Sequence, residues 1–93
     1  MWLVDAEHLR TDGFVATGRG AHGLTPSRDA RVLYVTGTRA VSLVSFAERR
    51  VVGRWRVPAA PEMGGVSADG RVLWLSAQAA DMVFAVSTRT GRI

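Results

Sequence analysis

The sequence contains no cysteine and no lysine. Without cysteine there is no disulfide, no thiolate metal site and no cysteine nucleophile. A cysteine-free chain tolerates either redox environment, so the compartment stays open. Without lysine there is no Walker-type phosphate loop. No apolar run approaches the roughly 20 residues that a membrane-spanning helix needs. The first ten residues, MWLVDAEHLR, carry no basic segment ahead of their apolar residues and place Asp5 and Glu7 early. They do not read as a signal peptide.

What remains is 93 residues, 47% hydrophobic and 22% charged. That balance belongs to a folded chain rather than a disordered one. A chain this short hides only about two-thirds of its unfolded surface, so an enclosed active site is hard to build from it alone. All twelve basic residues are arginine, and the formal net charge is +4. The arginines are scattered from Arg10 to Arg92, with no basic helix or zinc-finger spacing beside them. They read as solvated strand edges and turns, not as a nucleic-acid surface.

The strongest signal is an internal repeat. Aligning Asp29 with Asp69, 40 residues apart, sets RVLYVT (Arg31 to Thr36) on RVLWLS (Arg71 to Ser76). At the same offset Leu43 to Phe46 fall on Val83 to Val86, and a one-residue gap sets His22–Gly23 on Met63–Gly64. WLVD, Trp2 to Asp5, resembles VSFA and FAVS as part of a third copy. A period near 40 residues belongs to solenoids and propellers.

The repeated segments read as strands. They are short, rich in β-branched and aromatic residues, and bounded by turn formers. RVVGRWRVP alternates over its second half, with Trp55 and Val57 on one face and Arg54 and Arg56 on the other. One unit is therefore four short antiparallel strands, and almost no helix is expected. Residues 1–21 supply strands three and four of a preceding unit. Residues 22–60 make a complete unit. Residues 61–93 supply strands one to three of a following one. Such sheets need neighbours on both faces.

The segment from Gly18 to Pro58, with YVTG at Tyr34 to Gly37, resembles the YVTN-type β-propeller repeat, and Pro61 to Ile93 looks like the next blade. The resemblance implies an all-β fold of four-stranded antiparallel blades, here as a partial, open propeller of about two blades. A closed propeller of this family is expected to have about seven, so the chain reads as a fragment of a larger protein. Members of this family are often exported.

The candidate ligand contacts are His22, Glu62 and Met63, at the start of the innermost strands near a propeller's central channel. A histidine there could bind a metal or act as a base. A metal needs three or more ligands, however, and His8 lies in an unrelated stretch. No catalytic residue, metal or cofactor is assigned. Gly18 to Gly23, GRGAHG, is followed by a strand where a dinucleotide loop requires a helix. The remaining marked residues read as architecture. Asp29, Asp69 and Gly70 belong to turns, Gly23 and Gly64 to crowded backbone near an axis, and Tyr34, Trp55 and Trp74 to packing between blades.

Three functions compete. The first is a non-catalytic binding or scaffold segment, its partners being the remaining blades or another copy of the chain, and an unknown protein or small-molecule ligand. The second is part of a seven-bladed enzyme, lactonase-like or a metal-dependent oxidoreductase. The third is a self-standing β-protein that associates edge to edge.

Overall fold

Both aromatic strands start from the same local chemistry. In the computed structural model, which describes all 93 residues, Asp29 Oδ1 accepts from the Ser27 hydroxyl at 2.6 Å and from the Arg31 N–H at 3.1 Å. The Ser27 oxygen in turn accepts from the Val32 N–H at 3.0 Å. Asp69 repeats these bonds with Ser67 at 2.6 Å and Arg71 at 3.0 Å, and Ser67 with Val72 at 3.0 Å. A short polar side chain thus closes each turn on its own backbone.

Each turn passes through a left-handed residue, Ala30 at φ 55° and Gly70 at φ 75°. A Cβ in that region costs roughly 1–2 kcal/mol, partly offset by the entropy that glycine loses on folding. Ala30→Gly is therefore expected to stabilise the chain by about 0.5–1 kcal/mol, and Gly70→Ala to destabilise it by a similar amount. Thermal melts of the two variants, shifted in opposite directions, check this.

The same hydrogen bonds carry a pH signature. The Ser27 hydroxyl, then the Arg31 N–H, hold the Asp29 carboxyl below its ordinary value of 3.8, and Ser67 and Arg71 do the same for Asp69. A depressed carboxyl contributes stability above its unfolded value, and that contribution is lost as the pH falls through the folded one. Stability should hold from neutral pH to about 5 and drop below about 4. The double variant Asp29→Asn, Asp69→Asn should flatten that acid limb in urea melts.

Nine strands form three antiparallel sheets. β1 (Trp2–Asp5) and β2 (Arg10–Phe14) make the first. β3 (Leu24–Pro26), β4 (Val32–Gly37), β5 (Ala40–Ser45) and β6 (Arg50–Arg56) make the second, paired in chain order. β7 (Gly64–Val66), β8 (Val72–Ala77) and β9 (Met82–Ser87) make the third. The only helical turn is the 3-10 turn Gln78–Ala80.

Strand register refines the repeat. Trp2, Leu3, Val4 and Asp5 pair with Phe14, Gly13, Thr11 and Arg10. Ser42, Leu43, Val44 and Ser45 pair with Arg54, Gly53, Val51 and Arg50, with the irregularity at the same step. WLVD therefore corresponds to Ser42–Ser45, not to VSFA. The hairpins that follow both carry a left-handed residue, Leu9 at φ 50° and Arg49 at φ 54°.

Two sequence alignments are corrected. The His22 N–H donates to the Thr36 carbonyl, and the Glu62 N–H to the Ser76 carbonyl. His22 is thus equivalent to Glu62, Gly23 to Met63, and no gap is needed. The gap came from matching glycines, whereas the inner strand is defined by its backbone ladder. In the second correction, β4 and β5 turn through Thr38–Arg39, but β8 and β9 turn through Gln78–Asp81. The 3-10 turn absorbs the two extra residues. Leu43 and Val44 therefore match Ala85 and Val86, so that buried Val44 meets its counterpart in buried Val86.

Alternation along the strands fills two layers between sheets. Val15, Val35 and Val44 bury between the first and second sheets. Tyr34, Val41 and Val57 bury against Leu73, Leu75, Ala77, Phe84 and Val86 of the third. Trp55 stacks on Tyr34 with ring centroids 5.6 Å apart. Polar bridges cross the same gaps. Arg28 donates from Nε to the Ser67 carbonyl at 3.0 Å and from a terminal nitrogen to the Val66 carbonyl at 2.8 Å. Arg49 pairs with Asp12 of the first sheet at 2.7 Å.

The two outermost faces have no sheet against them. On the first sheet Trp2 is 68% exposed, and it meets Phe14 edge to face at 4.9 Å. On the third, Trp74 is 52% exposed, beside exposed Met63 and Val83. Trp74 sits where Tyr34 sits one repeat earlier. Tyr34 is covered by the third sheet and Trp74 by nothing, so Trp74 does not pack between sheets within this chain.

Candidate functional site

Next to the inner strands, Thr36 ties the second sheet to the third. Its hydroxyl accepts from the Gly23 N–H at 2.7 Å and donates to the Glu62 carbonyl at 2.9 Å. A Cβ at Gly23 would overlap the Glu62 carbonyl oxygen. Gly23 is therefore a contact point between two sheets. Gly64 answers a different neighbour, since a Cβ there would overlap the Trp74 carbonyl oxygen of the adjacent strand.

This arrangement sets His22 and Glu62 at equivalent positions of consecutive sheets, leading into β3 and β7. The His22 side chain is exposed and Glu62 is half-buried. Met63 belongs to the outer face instead, lining a shallow hollow with Gly64, Gly65, Trp74, Leu75, Ser76 and Val83. His8 lies apart, in the β1–β2 hairpin, where its Nδ1 sits 2.7 Å from Asp5 Oδ2. That hydrogen bond holds the Asp5 carboxyl below its ordinary range. No group of three or more His, Asp or Glu side chains converges to hold a metal ion.

Asp29 and Asp69 share a cavity of about 350 Å³ with Tyr34 and Thr88, at the opposite end of the sheets from His22. Burial pushes the Tyr34 hydroxyl up from its usual value, and the Asp29 charge adds to this. Both carboxylates are already engaged by their own turns, so this cavity offers no free acid–base pair.

The structure also gathers residues that looked scattered in the sequence. Arg39 of the β4–β5 hairpin joins Arg54 and Arg56 of β6 around a cleft of about 550 Å³, with Thr38, Ala40 and Val57. The alternation in RWRV already put Arg54 and Arg56 on one face. What brings Arg39 to them is strand pairing, because Ala40 lies opposite Arg56. The cleft is at the His22 end of the sheets, beside the chain that enters β3.

No protein-family model matches the sequence, and no curated protein matches it as a relative. Among solved structures, the chain superposes on the β-propeller-containing hydrazine synthase of Kuenenia stuttgartiensis with a TM-score of 0.85. The match has 20% identity and covers 98% of this chain and 27% of that one. The chain thus spans about a quarter of the structure it resembles. Its fold is all-β: an open, partial array of β-propeller blades built from antiparallel sheets.

Proposed function

We propose that the chain is a non-catalytic segment of a larger binding or scaffold propeller of the YVTN type. Residues 22–60 form its complete blade, residues 1–21 the end of the preceding blade, and residues 61–93 the start of the next. Further blades, or another copy of the chain, cover its outer faces. One observation carries this reading. Trp74 and Val83 are exposed at positions whose counterparts one repeat earlier, Tyr34 and Val41, are buried against the next sheet. The match to part of a longer propeller-containing chain is consistent with it.

The competing enzymatic reading needs polar side chains from several blades around a channel, and the equivalence of His22 and Glu62 in consecutive sheets is what supports it. Elemental analysis after incubation with divalent metal separates the two. The scaffold reading expects no stoichiometric metal. Bound metal at one equivalent, lost in His22→Ala, would favour the enzyme.

A further inference from the structure

We propose that the cleft formed by Arg39, Arg54 and Arg56 binds the phosphate group of a small soluble molecule. The argument begins with charge. Three arginines line a cleft of about 550 Å³, and no acidic residue lines it with them. The five ion pairs of the chain involve Arg10, Arg31, Arg49, Arg50 and His8, and none of the cleft arginines. Like charges held together without a partner focus a positive field, and an anion relieves it.

Geometry makes the cleft a built site. Arg54 is pinned from behind, with Nε donating to the Ser42 hydroxyl at 3.2 Å and a terminal nitrogen to the Thr17 carbonyl at 3.1 Å. Gly18 leaves room for it, since a Cβ there would lie 3.2 Å from the guanidinium. Arg39 is pinned through the Pro58 carbonyl at 2.9 Å. The hairpin that carries Arg39 is itself tied to the end of β6 by the Val57 N–H, which donates to the Arg39 carbonyl at 3.2 Å. A guanidinium has five N–H donors, so each pinned arginine keeps donors for a ligand. Arg56 has no partner and is free to close on one.

Phosphate fits this chemistry better than a single carboxylate. It offers more acceptor oxygens and more negative charge to several forked guanidinium groups than a carboxylate, which has two oxygens and a single charge. The cleft is lined by only six residues, a size that suits a small ligand.

Calorimetric titration of the full chain with inorganic phosphate and pyrophosphate at low ionic strength tests this. Saturable binding is expected, weakened roughly tenfold or more by Arg56→Gln and by Arg39→Gln. Arg10→Gln, which removes the same charge at the β1–β2 hairpin, at the opposite end of the sheets, should leave binding unchanged. Because Arg56 anchors nothing, Arg56→Gln should not lower the melting temperature, which separates lost binding from lost fold. No saturable binding, or equal losses in all three variants, would overturn the proposal. So would acetate binding as tightly as phosphate, or a short single-stranded oligonucleotide binding more tightly than pyrophosphate.

Discussion

Leu73→Ala should cost the chain about 3 kcal/mol, a large share of the stability of a domain this size. Leu73 is fully buried, in the layer where Tyr34, Val41 and Val57 meet β8 and β9. Truncating it removes apolar contact and leaves a cavity that the strands cannot easily close. The backbones on both sides are held by ladder hydrogen bonds, and Arg28 and Thr36 fix the spacing between the sheets. Urea melts of the two proteins give the difference from the shift in midpoint. A loss below about 1 kcal/mol would mean that the layer between the sheets is not the core.

Gly23→Ala should be nearly as damaging, by a different route. The added methyl group meets the Glu62 carbonyl and the Thr36 hydroxyl, so relief requires the second and third sheets to move apart. Overpacking of this kind costs about 1–3 kcal/mol. Moving the sheets also threatens the bond from the Thr36 hydroxyl to the Glu62 carbonyl, worth roughly 1 kcal/mol more. A total near 3 kcal/mol is therefore expected. Met63→Ala makes the informative control. Met63 is the structural counterpart of Gly23, but it lies on the uncovered face and is 61% exposed. Its truncation should change stability by less than about 0.5 kcal/mol. Equal effects at the two positions would contradict the assignment of Gly23 to a contact between sheets.

The aromatic strands were legible in the sequence because their alternation, their Asp-containing turns and their length all point the same way. The four-strand unit followed from the repeat. The inner strand was harder to place. Its side chains vary from Leu24 to Gly64, and its position is set by backbone bonds to Thr36 and Ser76 that composition does not reveal. Matching glycine to glycine therefore shifted it by one residue and paired His22 with Met63 instead of Glu62. The third strand slipped by two residues for a similar reason, because a 3-10 turn can lengthen a hairpin without disturbing the strands it joins. The arginine cleft was half legible. Period-two alternation gave Arg54 and Arg56 a common face, but Arg39 reaches them only through the pairing of β5 with β6.

The exposed faces bear on the central claim most directly. Trp2, Val4 and Phe14 at one side, with Trp74 and Val83 at the other, form apolar surfaces of the kind that mark interaction sites. The counterparts of Trp2, Val4, Trp74 and Val83 inside the chain, Ser42, Val44, Tyr34 and Val41, are buried. Sedimentation velocity of the purified chain across a concentration series, beside the variant Trp74→Ser, Val83→Ser, tests whether these faces require partners. If the chain is a set of blades taken from a larger array, the unmodified protein should associate as its concentration rises, and the variant should shift towards monomer. A chain that stays monomeric at every concentration, with the variant indistinguishable from it, would contradict that account.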